Sequence, residues 1–229
     1  MRQEIVLISA SPRVTADAAS AQFVEMASKR LKDENTETTI IDVRRSFSRE
    51  NTREDFEVIT WANAIVIAFP LYFFCLPGML TRFLEDYRDY LLETGNRNLH
   101  PKIYAIVNCG SPEAGMNEEA VRVVRSFSLQ IKAEFRFGIM IGGGMLIGTK
   151  DAPFMKKNLS SLNDAFSSLK QDILNDGRSF LVNHLINPNF PRKLYLYLGN
   201  RRLIHAARKN GLNKKDLHCR PYQSDARNK

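Results

Sequence analysis

The sequence has few of the residues that build metal sites and disulfide frameworks. Its three cysteines, Cys75, Cys109 and Cys219, are far apart, and its four histidines show no spacing that suits a metal ion. An odd number of separated cysteines gives no disulfide framework and is typical of a protein from a reducing compartment. We therefore expect a cytoplasmic protein without a structural zinc site.

The sequence also lacks a long uninterrupted apolar stretch. The best candidate, residues 64–80, contains Pro70 and Pro77. A membrane-spanning helix needs about 20 apolar residues, and both prolines would break it. The N-terminus has only a short apolar run before a turn, which is too little for a signal peptide. We therefore expect no transmembrane segment.

Most of the chain lacks a net positive charge, and the excess of basic residues is concentrated near its C-terminal end. Residues 188–229 contain eleven Lys or Arg and two acidic residues, which gives a net charge of +9. Residues 1–187 contain 22 basic and 23 acidic residues, which gives −1. The excess charge of the whole chain therefore comes from the C-terminal segment, which has to be interpreted separately.

Apolar runs with strand character alternate with helical patterns along most of the chain. The predicted strands are residues 4–10, 38–43, 64–69, 102–108 and 134–141, and the predicted helices are residues 18–32, 54–64, 77–93, 117–131 and 151–177. This alternation predicts a parallel sheet with helices on both faces. In such sheets the ligand lies beyond the carboxyl ends of the strands, so the loops there are the candidate site.

The loop after the first strand, residues 9–20, is rich in hydroxyl side chains and contains Arg13. With the N–H groups at a helix N-terminus, these side chains could bind a phosphate. The loop matches neither the Walker A motif nor GxGxxG. An ordinary capping loop, with Ser20 as the cap, explains the residues equally well.

The segment AFPLYFFCLPGML, residues 68–80, has no charged side chain. Pro70 ends the third strand and Pro77 starts the next helix, which leaves a stiff apolar loop over residues 71–76. Apolar and aromatic side chains at a ligand edge suit the face of a flat heteroaromatic molecule. A packed crossover loop in a large core is the alternative.

The loops after the fourth and fifth strands are rich in glycine. In NCGSPEAG, Gly110 could let the backbone approach a ligand, or the segment could be only a turn before a helix. In GGGMLIG, residues 142–148, three consecutive glycines permit close approach of a ligand or a subunit, and they permit a simple bulge as well.

Taken in order, these motifs resemble the flavodoxin-like NAD(P)H-dependent FMN reductases. The motifs are SPR with a later Ser, PLYxxxLP before a helix, NCG, and GGG, and the resemblance covers residues 4–177. It is closest to bacterial members with a basic C-terminal extension. It implies a flavodoxin-like three-layer α/β sandwich over residues 1–180, with a five-stranded parallel sheet in the order 2-1-3-4-5. A basic, mainly helical extension would follow over residues 181–229.

The resemblance also implies an activity. The protein would be an FMN-dependent NAD(P)H oxidoreductase that passes hydride through flavin N5 from NADPH or NADH to a small-molecule acceptor. Because N5 of the cofactor does the chemistry, we name no catalytic side chain. The cysteine cluster of the iron–sulfur branch is absent, so we expect no iron–sulfur cluster. Reductases of this fold usually dimerise, so we expect a homodimer or a higher oligomer.

The resemblance further implies which residues would contact FMN. The phosphate would meet Ser11, Arg13 and Ser20, with Ser9 at the start of the same loop. The ring would lie against Pro70, Leu71, Tyr72 and Phe73, and its other edge would meet Asn108, Cys109, Gly110 and Ser111. The first loop departs from the family pattern at Asp17-Ala18-Ala19, where Gly or Asn often stands.

Two other functions are compatible with these residues. One is a flavodoxin-like electron carrier, although such carriers are typically acidic. The other is a non-catalytic binding module with a vestigial flavin site and a basic tail that binds an anionic membrane or nucleic acid. A smaller question concerns Cys75 and Cys109, which would lie at the same sheet edge. They could form a redox pair beside the flavin, or they could be buried thiols that serve packing.

The C-terminal extension predicts a basic helix over residues 188–210. Pro191 suits its first turn and Asn210-Gly211 its end. Its apolar residues can share a face; they are Leu194, Tyr197, Leu198, Ile204 and Ala207. Such a helix could lie on an anionic membrane, bind nucleic acid, pack on the protein or a second subunit, or stay solvated. We expect an ordered helix with a covered apolar face.

Overall fold

The computed structural model describes residues 2–12, 18–95, 100–144, 156–175, 182–189 and 191–219. Arg13 and Asp17, which were assigned to the phosphate loop, lie outside the described residues. Residues 145–148 of the GGGMLIG loop also lie outside them.

Six strands and seven α-helices are present in this described part of the chain. The strands are β1 (Gln3–Ser9), β2 (Thr36–Asp42), β3 (Ala64–Pro70), β4 (Lys102–Asn108), β5 (Glu134–Ile141) and β6 (His184–Ile186). The helices are α1 (Ala19–Leu31), α2 (Val43–Ser48), α3 (Thr52–Thr60), α4 (Gly78–Thr94), α5 (Glu118–Gln130), α6 (Lys156–Leu174) and α7 (Arg192–Lys209). Short 3₁₀ turns occur at Ala114–Asn117 and Asp216–His218.

The strands form one parallel sheet in the order β2-β1-β3-β4-β5-β6. The predicted flavodoxin-like fold and the order of its first five strands are confirmed. The sixth strand, β6, was not predicted, because three residues are too few to show a period. Helix α2 was not predicted either. Its N-cap is Asp42, whose side chain accepts a hydrogen bond from the Arg45 N–H at 3.0 Å, and an aspartate is a common residue at the start of a helix.

Alternate residues of the central strands enter two separate cores. On one face, Val6 and Ile8 pack with side chains of α3, α4 and α5, among them Phe83. On the other face, Ile5 and Leu7 pack with side chains of α1 and α6. Side chains of successive strand residues point to opposite faces, so strands buried on both faces must be apolar throughout. The continuous apolar runs of the sequence therefore become the middle layer of the sandwich.

A buried ion pair joins β5 to α6. Two nitrogens of Arg136 donate to the two carboxylate oxygens of Asp172 at 2.8 and 2.7 Å, and the Tyr104 hydroxyl donates to the same carboxylate at 2.6 Å. Burial alone would raise the pKa of Asp172, but the hydrogen bonds from Arg136 and Tyr104 hold it below its usual value. The Asp172 carboxylate therefore stays charged inside the protein.

The chain divides into two compact units, Met1–Asn189 and Phe190–Lys229. The first contains the whole sheet, including β6, which lies beyond the boundary predicted at residue 180. The second contains α7, which begins after Pro191 and ends at Asn210. The predicted C-terminal helix is confirmed. Its apolar residues, however, are largely exposed in the single chain.

No helix within the described ranges has the length and apolar character needed to cross a membrane.

We predict that Asp172→Asn lowers the free energy of unfolding by about 3–5 kcal/mol, because the buried Arg136 loses its buried counter-charge and keeps the half-exposed carboxylate of Glu134. The pKa of Asp172 is lowered in the folded state, so its stabilisation is complete above the unfolded pKa of about 3.9 and is lost as the pH falls further. Urea unfolding at several pH values measures this effect. Asp89→Asn, which removes an exposed ion pair with Arg88, is the matched control and should change stability by about 1 kcal/mol or less. Equal effects of the two substitutions would contradict the prediction.

Candidate active site

The loops after β1, β3 and β4 meet at one edge of the sheet. The Leu71 N–H donates to the Asn108 carbonyl at 2.8 Å, and the Ala10 N–H donates to the Ala68 carbonyl at 2.9 Å. These bonds continue the parallel pairing beyond the strand ends. A cavity of about 220 Å³ lies between the loops, lined by Ser11, Ala18, Ala19, Ser20, Pro70, Leu71, Tyr72, Asn108, Cys109 and Gly110.

The start of helix α1 forms one wall of this cavity. The N-cap residue is Ala18, and no side chain of the described residues caps the helix. The interpretation of Ser20 as a cap is therefore wrong. Ser20 is buried in the first turn, and its hydroxyl has no hydrogen-bond partner among the described residues. A buried hydroxyl at a helix N-terminus, beside N–H groups that lack a side-chain cap, suits an anionic group of a ligand.

The aromatic loop after β3 contains a tight turn. Tyr72 and Cys75 exchange two backbone hydrogen bonds, of 3.0 and 2.9 Å. The two residues between them have positive φ angles, 47° for Phe73 and 62° for Phe74. Two-residue hairpin turns of type I′ require such angles and usually contain Asn-Gly, because a larger L-residue is strained there. Strained backbone of this kind often marks a functional segment.

The turn leaves its aromatic side chains exposed. Phe73 is 97% exposed and Phe74 57%, whereas Tyr72 contributes to the cavity wall. The prolines on either side have separate roles. Pro70 is the last residue of β3, and Pro77 is the N-cap of α4. Residues 70–77 therefore place an aromatic turn beside the cavity.

Asn108, the last residue of β4, brings a second unsatisfied polar atom to the cavity. Its side chain is buried, and its Oδ1 atom has no hydrogen-bond partner among the described residues. A side-chain methyl at position 144 would lie 2.8 Å from Asn108 Nδ2. The glycine at this position therefore makes room for the Asn108 side-chain amide. An acceptor held in this way suits an N–H group of a ligand.

The adjacent thiol, Cys109, is engaged within its own loop. It contacts the Ser111 carbonyl oxygen at 3.4 Å, and the Asn117 side-chain amide contacts its sulfur at 3.6 Å. Burial raises the pKa of the Cys109 thiol, so it stays protonated near neutral pH. This environment favours a packing role over a redox pair with the exposed Cys75.

The three glycines after β5 hold the loop that follows β4. A Cβ atom on Gly142 would lie 2.3 Å from the Pro112 carbonyl oxygen. Any larger residue at position 142 would therefore clash with the backbone of Pro112. Gly143 has φ of +62° and donates to the Ser111 carbonyl, and the Gly144 N–H donates to the Cys109 carbonyl. Close packing of two loops, rather than direct contact with the cavity, explains this motif.

The structure brings most of the predicted site residues together. Eight of them line the cavity: Ser11, Ser20, Pro70, Leu71, Tyr72, Asn108, Cys109 and Gly110. Ser9 instead lines a second cavity of about 380 Å³ between α1 and β2. Phe73 points to solvent, and the Ser111 hydroxyl donates to Glu113. Ala18 and Ala19 also line the cavity, and they were not predicted because alanine has no polar side-chain group that would indicate a site.

Comparison with known proteins identifies the family. Residues 3–133 match the NADPH-dependent FMN reductases, and this match spans more than half of the chain. The chain belongs to the NADPH-dependent FMN reductase family. It is therefore an NAD(P)H-dependent FMN oxidoreductase, and its cofactor is FMN. A search of curated proteins finds no match.

Solved structures share the fold at low sequence identity. An oxidoreductase from Corynebacterium diphtheriae has a TM-score of 0.57 at 14% identity, with 77% of this chain and 99% of that chain covered. General stress protein 14 from Treponema denticola, solved with FMN, has 0.56 at 15% identity, with 75% and 99% covered. The NAD(P)H:quinone oxidoreductase from Methanothermobacter marburgensis has 0.54 at 15% identity, with 78% and 100% covered.

The cavity residues fit an FMN group. Ser20 provides an unpaired hydroxyl at a helix N-terminus, which suits a phosphate. Asn108 provides an unpaired acceptor, and Leu71 and Tyr72 provide apolar surface between the two. The family match therefore agrees with the donor and acceptor groups that the cavity presents.

We predict that replacing Phe73 by Asn and Phe74 by Gly raises the free energy of unfolding by about 1 kcal/mol, because both residues then tolerate positive φ. Thermal unfolding of the free protein measures the change. The matched control replaces both residues by Ala, which removes the same rings but retains the strain, and it should not stabilise the protein. If the Ala pair stabilises as much as Asn-Gly, the exposed rings and not the backbone angles are unfavourable.

Proposed function

We propose that the protein reduces a small, flat acceptor with NAD(P)H, through FMN held in the cavity at the carboxyl edge of the sheet. The single observation that carries this proposal is the pair of buried, unpaired polar atoms, Ser20 Oγ and Asn108 Oδ1, in one cavity. Leaving a polar atom buried and unpaired costs about 1–3 kcal/mol, so each of the two indicates a partner supplied by a ligand.

We assign the FMN phosphate to the first loop and the start of α1. Ser11 and Ser20 offer hydroxyl groups there, and Arg13 remains the proposed counter-charge. Ala18 and Ala19, at the start of α1, line the same wall. A helix N-terminus carries about half a positive charge, which favours an anion in its first turn. Because the phosphate contacts would be mainly backbone and hydroxyl groups, alanine at positions 18 and 19 is compatible with binding.

We assign the isoalloxazine ring to the space bounded by the loops after β3 and β4. Pro70, Leu71 and Tyr72 offer one apolar wall, and Asn108, Cys109 and Gly110 offer the other edge. The Asn108 carboxamide would accept a hydrogen bond from a ring N–H. Phe73 and Ser111, by contrast, do not line the cavity in the structure, so we give them no direct contact with the ring.

Bound FMN supplies the hydride chemistry, through N5 of its ring. The residues of this chain need to bind the cofactor, orient it and exclude water, and none needs to move a proton. The rigid turn from Tyr72 to Cys75 is positioned to form the rim over the open face. Its exposed phenyl rings, Phe73 and Phe74, offer stacking surface to a flat apolar acceptor such as a quinone. The expectations of a cytoplasmic location, a homo-oligomer and a separate extension from residue 181 stay predictions.

The electron-carrier alternative differs in one measurable property. A reductase is reduced directly by NADPH or NADH, whereas a carrier needs a partner reductase. Stopped-flow bleaching of the bound flavin by NADPH alone distinguishes the two. Carriers of this kind are typically acidic, whereas residues 1–187 have a net charge of −1 and the whole chain is basic, which favours the reductase.

We predict that Ser20→Ala weakens FMN binding about 10- to 100-fold, because a hydrogen bond to a charged group contributes about 1.5–3 kcal/mol. In the free protein the same change removes an unpaired buried hydroxyl, so stability should be unchanged or slightly higher. Flavin fluorescence titration and urea unfolding of the free protein measure the two effects.

Ser46→Ala is the matched control for this prediction. Ser46 is also buried with an unpaired hydroxyl, but it lines the second cavity. Its substitution should leave FMN affinity unchanged. If Ser20→Ala and Ser46→Ala weaken FMN binding equally, or if neither does, the assignment of the phosphate to the start of α1 is wrong.

A further inference from the structure

Helix α7 exposes apolar side chains that a folded protein normally buries. Residues 194–198 are five consecutive Leu and Tyr residues. Leu196 is 48% exposed, and Tyr197 and Leu203 are each 56% exposed. Leu196 and Leu203 are seven residues apart, as are Tyr197 and Ile204, so all four lie on one side of the helix. Contiguous exposed apolar side chains of this kind mark an interaction surface.

The same helix is strongly basic. Its 18 residues include six Lys or Arg and no acidic residue. The pairs Arg201-Arg202 and Arg208-Lys209 are seven residues apart and lie largely on the side away from Leu203. Residues 188–229 carry a net charge of +9, whereas the rest of the chain carries −1. A partner for α7 therefore has to offer both negative charge and an apolar phase.

We propose that helix α7 binds the surface of an anionic lipid bilayer. Leu196, Tyr197 and Leu203 would enter the interface, and the basic side chains would reach the phosphate groups of the lipids. Tyrosine is enriched at this level of a membrane, and long basic side chains can extend along apolar surface toward the headgroups. The Arg201 guanidinium lies 6.0 Å from the Tyr197 ring, so the cationic and aromatic groups are adjacent.

The charge distribution argues against the two other occupants. A second copy of α7 would repel the first, and the remainder of a second copy, with a net charge of only −1, offers little to attract it. Nucleic acid would match the charge but would leave the exposed Leu and Tyr side chains in water. An anionic bilayer satisfies both features. The proposal goes beyond the proposed flavin chemistry and does not depend on it.

The first experiment is cosedimentation of the full-length protein with lipid vesicles. One set of vesicles contains phosphatidylcholine alone, and the other contains phosphatidylcholine and phosphatidylglycerol in equal parts. We expect binding to the anionic vesicles only, and binding that weakens as salt is added. Equal binding to both sets, or binding to neither, overturns the proposal.

A charge variant tests the basic side chains. Arg201→Glu with Arg202→Glu should weaken binding to the anionic vesicles about thirtyfold or more, since each basic residue near such a surface contributes about 1 kcal/mol. Lys29→Glu with Arg125→Glu changes the net charge by the same amount at exposed positions outside α7, and it should bind like the wild type. Equal loss in both variants overturns a specific role for α7.

An apolar variant tests the other half of the surface. Leu196→Gln with Leu203→Gln should weaken vesicle binding about tenfold or more, because two leucines then no longer enter the apolar phase. Leu92→Gln with Leu129→Gln is the matched control, since both of these leucines are 71% exposed and lie in α4 and α5. It should bind like the wild type. Unchanged binding of the α7 variant overturns the proposal.

Two further measurements address the competing occupants. Salt-dependent binding to duplex DNA without binding to anionic vesicles would assign α7 to nucleic acid. Light scattering that shows self-association in the wild type but not in the α7 variants, again without vesicle binding, would assign it to a second copy. Either result overturns the bilayer assignment. Thermal unfolding confirms that each variant is folded.

Discussion

The parallel alignment of β1, β3 and β4 is the constraint on which the candidate site depends. Pro70 is in register with Asn108, so β3 and β4 end together, and Ser9 is in register with Ala68, so β1 ends two residues before them. The bond from the Leu71 N–H to the Asn108 carbonyl extends the pairing into the loops. Backbone hydrogen bonds thus hold the start of α1, the aromatic turn and the loop after β4 around one cavity. Because the backbone sets the positions of the loops, the cavity keeps a defined shape although alanine, proline and glycine form much of its lining.

A second layer of backbone contacts supports this arrangement. The glycines after β5 pack against residues 109–112 and leave room for the Asn108 side chain. Cys109 is hydrogen-bonded in the same layer and adds no reactive thiol. Among the described residues that line the cavity, Ser20 and Asn108 contribute buried, unpaired polar atoms, and their neighbours contribute apolar surface. A cofactor that does its own chemistry needs little more from the protein.

The sequence was sufficient to predict the first five strands of the sheet, because strands buried on both faces must be apolar throughout and because Pro and Gly mark their ends. It located most of the cavity residues for the same reason, since topology places the loops after β1, β3 and β4 together. It could not reveal contributions made by backbone alone, such as that of Ala18. It also could not show that Phe73 adopts positive φ and turns to solvent, since that angle is atypical for phenylalanine. Nor could helical periodicity tell whether the apolar residues of α7 are covered, because that depends on what packs against them.

Hydrogen exchange of the backbone amides, followed by mass spectrometry with and without FMN, tests the central claim most directly. If FMN occupies the cavity between these loops, exchange should slow at residues 18–21, 71–75 and 109–110. Residues 42–51, which border the second cavity, should be unaffected. Protection confined to residues 42–51, or no change around Ser20 and Asn108 at saturating FMN, would contradict the account.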